Sequence, residues 1–261
     1  MTAPIRVGVF GAAGRMGRTV CAAVAADSTL ELVAAVDPFA DGEVVEGIAV
    51  EKEAQAMADA GAQVAIDFTV IDAARVNAAF CATRGIHSVI GTSGFDDDDL
   101  AELGKLFNRV DGPNCVVAAN FAIGAVMMAY LAAKAAPYFD TVEIIESHHD
   151  TKKDAPSGTA IDTANRIAAA SSDWAADPTE IQHLPGARGA RGAGGIPIHA
   201  VRMRGMVASQ EVVFGATGQT LVLRHDTFDR TSFMPGVLLA TKAVGDTPGL
   251  TVGLDDLLDL S

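Results

Sequence analysis

The chain has 261 residues, of which 49% are hydrophobic and 20% charged. At about 150 residues per domain this is one to two domains with ample core, and it excludes disordered and collagen-like chains. Its 19 Lys/Arg against 33 Asp/Glu give a net charge of −14, a polyanion that repels nucleic acid and acidic membrane surfaces.

From the N-terminus, MTAPIRVGVFGAAGRMG carries no long apolar run ahead of its glycines, so no signal peptide is expected and the location implied is cytoplasmic. Apolar runs at 5–10, 30–37, 64–69, 87–90 and 115–119 read as strands, with helical patterns around 14–26, 51–60, 72–84 and 96–108. That alternation predicts right-handed βαβ crossovers and a parallel sheet. The apolar stretch from Cys115 to Ala133 is long enough to test as a membrane span, but Asn120 divides it into a short strand and a helix, and no membrane segment is expected.

Beyond residue 141 the rhythm changes. TVEIIESHH predicts a strand, Ser157–Ala170 a helix, and GARGARGAGG (186–195) a loop. IHAVRMR, SQEVVFGA and TLVLRHDT follow as strands, with TGQT a turn between the last two. TSFMPGVLLATKAV predicts a helix returning to the first domain. The fold class expected is therefore α/β: a parallel-sheet domain plus an α+β domain with a mixed sheet. Five of the six histidines fall within 120–230, where the charge is close to balanced. This suits reception of a small anion.

Two stretches carry chemistry. In VGVFGAAGRMG, Gly11, Gly14 and Gly17 sit between a strand and a helix, where free N–H groups and the helix dipole favour a pyrophosphate. Asp37, 20 residues beyond Gly17, stands where a carboxylate accepts hydrogen bonds from ribose hydroxyls. It repels a 2′-phosphate, and Pro38 and Phe39 supply no arginine to offset it, so NADH is favoured over NADPH, with Arg15 and Arg18 as partial compensation. Thr69, the loop Gly91-Thr92-Ser93-Gly94 and Ala119-Asn120-Phe121 end later strands, where the ligand crevice of a parallel sheet forms.

The second stretch is Glu146-Ser147-His148-His149-Asp150-Thr151-Lys152, running on to Pro156-Ser157-Gly158-Thr159. Adjacent His148 and His149 point to opposite faces of a continuing strand, which disfavours a shared metal; no metal is expected. One histidine passes a proton near neutrality, Lys152 supplies positive charge, and the helix start at Pro156 and Ser157-Gly158-Thr159 seats a carboxylate. Cys21, Cys81 and Cys115 form no CxxC pair, so neither disulfides nor a cysteine zinc site is expected.

HHDTKKDAPSGTA, with GAAGRMG, VAIDFT, GTSGF and AANFAIG, closely resembles the bacterial 4-hydroxy-tetrahydrodipicolinate (dihydrodipicolinate) reductases, and IPIHAVRMRGMVASQEVVFG resembles their actinobacterial branch. The resemblance runs from about residue 5 to the tail. It implies a Rossmann-type dinucleotide-binding domain from 1–119 and 231–261, and a substrate-binding and tetramerisation domain from 120–230. It also implies NADH- or NADPH-dependent reduction of a small dicarboxylate in the diaminopimelate route of lysine biosynthesis, by a homotetramer.

By the same resemblance His148 is the proton donor, and Lys152 a second donor or carboxylate anchor. His149, Ser157, Gly158 and Thr159 hold the substrate. Gly11, Ala12, Ala13, Gly14, Arg15, Met16, Asp37, Gly91, Thr92, Ser93, Ala118, Ala119, Asn120 and Phe121 hold the cofactor, with Arg230 and Phe233 closing over it. Ser93 departs from the commoner Thr but keeps the hydroxyl, and Asp150 adds negative charge near the dicarboxylate. Two other classes remain open on residues alone: a reductase of a simpler imine or oxo acid, and a non-catalytic NADH sensor.

Overall fold

The computed structural model describes residues 3–260. In chain order the main elements are β1 (Ile5–Phe10), α1 (Arg15–Ala26), β2 (Leu30–Val36), β3 (Val44–Val45), β4 (Ile48–Glu51), α2 (Gln55–Asp59), β5 (Val64–Asp67), α3 (Ile71–Arg84), β6 (His87–Ile90), α4 (Asp97–Phe107) and β7 (Cys115–Val117). They continue with α5 (Ile123–Ala135), β8 (Thr141–His148), α6 (Gly158–Ala170), β9 (Ala190–Arg191), β10 (Pro197–Arg202), β11 (Ala208–Ala216), β12 (Gln219–Thr227), α7 (Met234–Ala243) and β13 (Leu250–Val252). The chain divides into two compact units, Met1–Ala122 with Phe233–Ser261, and Ile123–Ser232.

The first unit is a sheet in the order β13-β7-β6-β5-β1-β2-β4-β3, parallel throughout except for the β3–β4 pair. All of β5 and β7 is buried, as the apolar runs of central parallel strands require. The order reverses at β1, which is flanked by β2 and β5, and such a switch point opens a crevice at the carboxyl ends of the strands. The C-terminal segment is tied in by Asn114, which donates to the Val244 and Gly245 carbonyls and accepts from the Gly249 N–H.

This is the expected Rossmann-type sheet, with local differences at β3, β4 and β13. The pattern at 51–60 predicts one helix, but Ile48–Glu51 is strand β4, pairing with β2 and burying Val50, and only Gln55–Asp59 is helical. β13 carries no strand signal of its own length and is recruited by pairing with β7.

The second unit is a mixed sheet in the order β12-β11-β8-β10-β9. β8 runs parallel to β10 and antiparallel to β11. Its alternation sends Val142, Ile144 and Glu146 to one face, where the first two join Val212, Phe214 and α6 residues Ala160, Ala164 and Ile167 in the core. The apolar run after Cys115 is indeed split, into β7 and α5, and among the described residues no helix is long and apolar enough to cross a membrane. Cys21, Cys81 and Cys115 are buried and unpaired, and burial pushes the first two thiols up to about 12.

Candidate active site

The loop from β1 to α1 is built from backbone. Gly11 has a φ of +66°, and a Cβ at Gly17 would stand 1.9 Å from the Gly11 carbonyl oxygen, so α1 packs on the loop only because both are glycine. Gly14 caps α1 without any side-chain hydrogen bond, and its first turn holds no acid. By contrast, α4 opens on a capping box from Asp96 and Asp99, with Asp97 and Asp98 beside it. An acid-filled N-terminus is closed to anions, whereas that of α1 is open to one.

Asp37 directly follows β2, 9% exposed, and its carboxylate accepts from the Ala13 N–H at 3.3 Å and the Phe39 N–H at 3.1 Å. It thus joins the glycine loop to the β2 turn. Arg18 donates to the Ala13 carbonyl at 2.9 Å and pairs with Glu43 at 2.5 Å, so the compensation expected from Arg18 is already engaged. Arg15 is exposed, Met16 is half-buried, and Ala12 is buried, donating to the Val36 carbonyl.

At the ends of β5, β6 and β7 the hub is Asp67, 3% exposed. Its carboxylate accepts from the Thr69 N–H and hydroxyl (2.8 and 2.6 Å), Asn77 (2.8 Å) and the Thr92 hydroxyl (3.3 Å). A Cβ on Gly91 would lie 2.1 Å from the Phe68 ring, which itself packs on buried Phe121 at 5.7 Å. The loops holding Gly91, Thr92 and Phe121 are therefore fastened to one another, leaving Ser93 and Ala119 exposed. Ala118 donates to Ile90, and Asn120 accepts from the Ala122 N–H at 2.8 Å.

In the second unit β8 delivers Glu146 and His148 to the same face. Glu146 is fully buried, and His148 Nδ1 lies 2.6 Å from its Oε2. The β8–β10 register sets Arg202 beside His148, and its guanidinium grips both oxygens of Glu146 at 2.8 and 2.9 Å. Ser157 N–H donates to Oε1 at 3.1 Å. Burial works against the Glu146 charge, but Arg202, His148 and Ser157 prevail and hold its carboxyl below the usual range. Burial, helped by Lys152 and Arg202, keeps His148 below its ordinary value although Glu146 opposes this.

The strand ends at His148, so His149 lies on the following loop, where Nδ1 meets the Thr151 hydroxyl at 2.7 Å. Lys152 Nζ pairs with Asp154 at 2.9 Å, and Arg202 also holds the Asp154 carbonyl at 2.7 Å. Asp150 pairs with exposed Arg204. Pro156 precedes the cap of α6 instead of entering its first turn, and Ser157 caps the helix by accepting from the Ala160 N–H at 3.2 Å. The first turn of α6 has no acid, and exposed Gly158 has open space where a Cβ would stand. Thr159 follows within that same first turn.

The structure thus gathers His148, Lys152, Ser157, Gly158 and Thr159 around one strand end and helix start. Arg230 is exposed, and Phe233 is half-buried where the chain leads into α7. No group of three or more His, Cys, Asp or Glu side chains that could hold a metal occurs among the described residues. A cavity of about 620 Å³ lined by Asp41, Glu51, Glu53 and Asp59 contains no candidate residue, and its acidic wall is unsuited to phosphates. Asp67 and Arg202 are absent from the residues that the sequence singles out, and Glu146 enters there only as the start of the stretch that leads to the histidines. The parity Val142-Ile144-Glu146-His148 did carry a signal, since it puts a carboxylate on an apolar face.

Profiles of two families match the chain: "Dihydrodipicolinate reductase, N-terminus" over residues 5–121 and "Dihydrodipicolinate reductase, C-terminus" over 124–258. The 4-hydroxy-tetrahydrodipicolinate reductase of Corynebacterium aurimucosum is 46% identical over 260 residues, covering 98% of this chain and 99% of the relative. That of Cutibacterium acnes is 48% identical over 263 residues, with the same coverage. Among solved structures, the dipicolinate-bound dihydrodipicolinate reductase from Paenisporosarcina sp. TG-14 superposes with a TM-score of 0.86 at 38% identity, over 97% of this chain and 99% of that one. The chain belongs to the 4-hydroxy-tetrahydrodipicolinate reductase family.

Proposed function

We propose that the chain reduces 4-hydroxy-tetrahydrodipicolinate to tetrahydrodipicolinate with loss of water, using NADH in preference to NADPH, in the diaminopimelate route of lysine biosynthesis. The observation that carries this reading is the strand end where His148 rests on buried Glu146, beside Lys152 and the acid-free start of α6. A ring with two carboxylates calls for two seats of positive charge or N–H groups. Lys152 with His149 offers one, and the start of α6 offers the other through Gly158, Thr159 and the Ser157 hydroxyl, the Ser157 N–H being held by Glu146. The name of the dipicolinate-bound relative supports a dicarboxylate ligand.

Reduced nicotinamide, when bound, supplies the hydride. The residues of the first unit fit such a group: a Cβ on Gly17 would strike the Gly11 carbonyl, so the loop can lie close on α1, and α1 presents an uncapped N-terminus to a pyrophosphate. Ala12, Ala13, Gly14, Arg15 and Met16 would line that seat, and Asp37 would accept from ribose hydroxyls. Gly91, Thr92, Ser93 and Ala118 to Phe121 would contact the remaining half. Asp37, with Arg18 already taken by Glu43, disfavours a 2′-phosphate.

Replacing the ring hydroxyl by hydride and releasing water consumes one proton. His148 supplies it from Nε2, and Lys152 anchors a carboxylate of the substrate. The mixed sheet also supports a homotetramer built through the second unit. Val142, Ile144, Val212 and Phe214 on its helix-covered face are buried, while on the opposite face Ile145 and Val213 are half-buried and Val222 is exposed.

The test couples dihydrodipicolinate synthase, pyruvate and aspartate semialdehyde to the purified chain and follows loss of nicotinamide absorbance with NADH and NADPH in parallel. Consumption that depends on every component, faster with NADH, is the expected result. Folded protein that binds NADH yet consumes neither cofactor would overturn the assignment.

A further inference from the structure

We infer that Glu146, clamped by Arg202, is a positioning residue that fixes His148 with its ring proton on Nδ1, leaving Nε2 as the nitrogen that exchanges protons with substrate. The inference rests on the reading of His148 as the proton carrier.

Both oxygens of Glu146 are occupied: Oε1 accepts from Ser157 N–H and one Arg202 nitrogen, and Oε2 accepts from the other Arg202 nitrogen and His148 Nδ1. A carboxylate gripped by both nitrogens of a guanidinium is ionised and can only accept. The ring nitrogen facing it at 2.6 Å must therefore donate, which sets the tautomer without reference to substrate. Orientation follows from the fold. Glu146 and His148 share one face of β8, and the parallel register brings Arg202 of β10 level with His148.

A second consequence concerns what the network joins. Arg202 holds the Asp154 carbonyl, Asp154 holds Lys152, and Glu146 holds the N–H of the α6 cap. One buried carboxylate thus ties the proton carrier, the cation and the anion seat into a single hydrogen-bonded frame. Apolar Val142 and Ile144 hold the preceding places on this face of β8, so packing alone does not call for a charge at Glu146.

The charged groups facing His148 are Glu146 from β8, Arg202 from β10 and Lys152 from the loop, the last held by Asp154. Of these Glu146 alone favours the imidazolium, while burial, Lys152 and Arg202 oppose it. Removing its charge lowers the His148 pKa further, so the protonated fraction is lost at lower pH.

The test measures kcat and KM across pH for the wild type, Glu146→Gln and Glu146→Gln/Arg202→Met. The double variant leaves no unpaired buried charge and so separates function from the folding cost of the single one. The tautomer of His148 is read by nitrogen NMR of histidine-labelled wild type, assigned by comparison with His148→Gln. We expect Nδ1–H in the wild type, a fall in kcat of about 10–100-fold in both variants, as for orienting partners of other functional histidines, with KM changed much less. In Glu146→Gln the alkaline limb moves to lower pH. An Nε2–H tautomer in the wild type, or wild-type kcat and an unmoved limb in either folded variant, overturns the inference. Full turnover in His148→Gln instead overturns the reading of His148 itself.

Discussion

The two helix starts that bear on function, α1 and α6, both lack acids in their first turn, yet they are supported in opposite ways. Behind α1 stands backbone: Gly11 turns the chain, Gly17 lets it pack, and no side chain caps the helix. Behind α6 stands buried charge: Ser157 caps the helix, and its N–H rests on a Glu146 carboxylate locked by Arg202 and His148. A seat made of backbone holds an anion at any pH but tolerates no added atoms. A seat tied to titratable side chains tolerates more bulk and responds to protons. The first suits the pyrophosphate of a cofactor, which takes no proton from the protein, and the second a substrate that must be protonated.

The largest effects should come from the charged site. His148→Gln is expected to lower kcat by about 10²–10⁴-fold, the range of general acid catalysis, with a smaller change in KM; steady-state kinetics check this, and unchanged turnover removes His148 as the carrier. Next, Gly17→Ala forces a Cβ to within 1.9 Å of the Gly11 carbonyl. Displacing the loop should weaken NADH binding by about tenfold or more, in the spirit of a misplaced positioning element. Dipicolinate binding should survive, as calorimetry on the same sample would show.

A third, smaller effect separates the two sites by pH. His148 is held below its ordinary value without ligand. An arriving dicarboxylate adds negative charge and raises that value, so binding takes up protons and weakens as pH rises past the ligand-free pKa. Titrations of dipicolinate in buffers of different ionisation enthalpy should show this uptake. NADH titrations should show little, since no histidine lies in the loops of the α1 seat. Glu43→Gln should release Arg18 and improve the NADPH-to-NADH affinity ratio by a few fold, about the worth of one exposed charge pair. Smallest of all, Ser157→Ala removes one cap and should cost about 1 kcal/mol of stability, visible as a Tm lower by a few degrees.

The same contrast explains what was legible in the sequence. The backbone seat announces itself through glycine spacing after an apolar strand, and Asp37 falls at a fixed distance beyond it. The strands β1, β2, β5 and β6 were equally legible, because each is a contiguous apolar run. β3, β4 and β13 were not, since segments of two to four residues become strands only through the neighbour they pair with. His148, Lys152 and Ser157 lie within one short stretch and were found together. Arg202 stands 56 residues from Glu146 and reaches it only through the parallel pairing of β10 with β8. Asp67 was hidden for a related reason: it sits in a strand and binds Thr69, Asn77 and Thr92, which share no local motif.

The division of labour between the two seats is tested most directly with Lys152→Ala, by measuring NADH affinity through nicotinamide fluorescence on the same preparation used for turnover. The account predicts a sharp loss of kcat with an NADH dissociation constant within about twofold of wild type, since separate sites without shared partners influence one another by no more than about 0.3–0.5 kcal/mol. NADH affinity falling in parallel with turnover would contradict it, and would mean that Lys152 serves the cofactor and not the dicarboxylate.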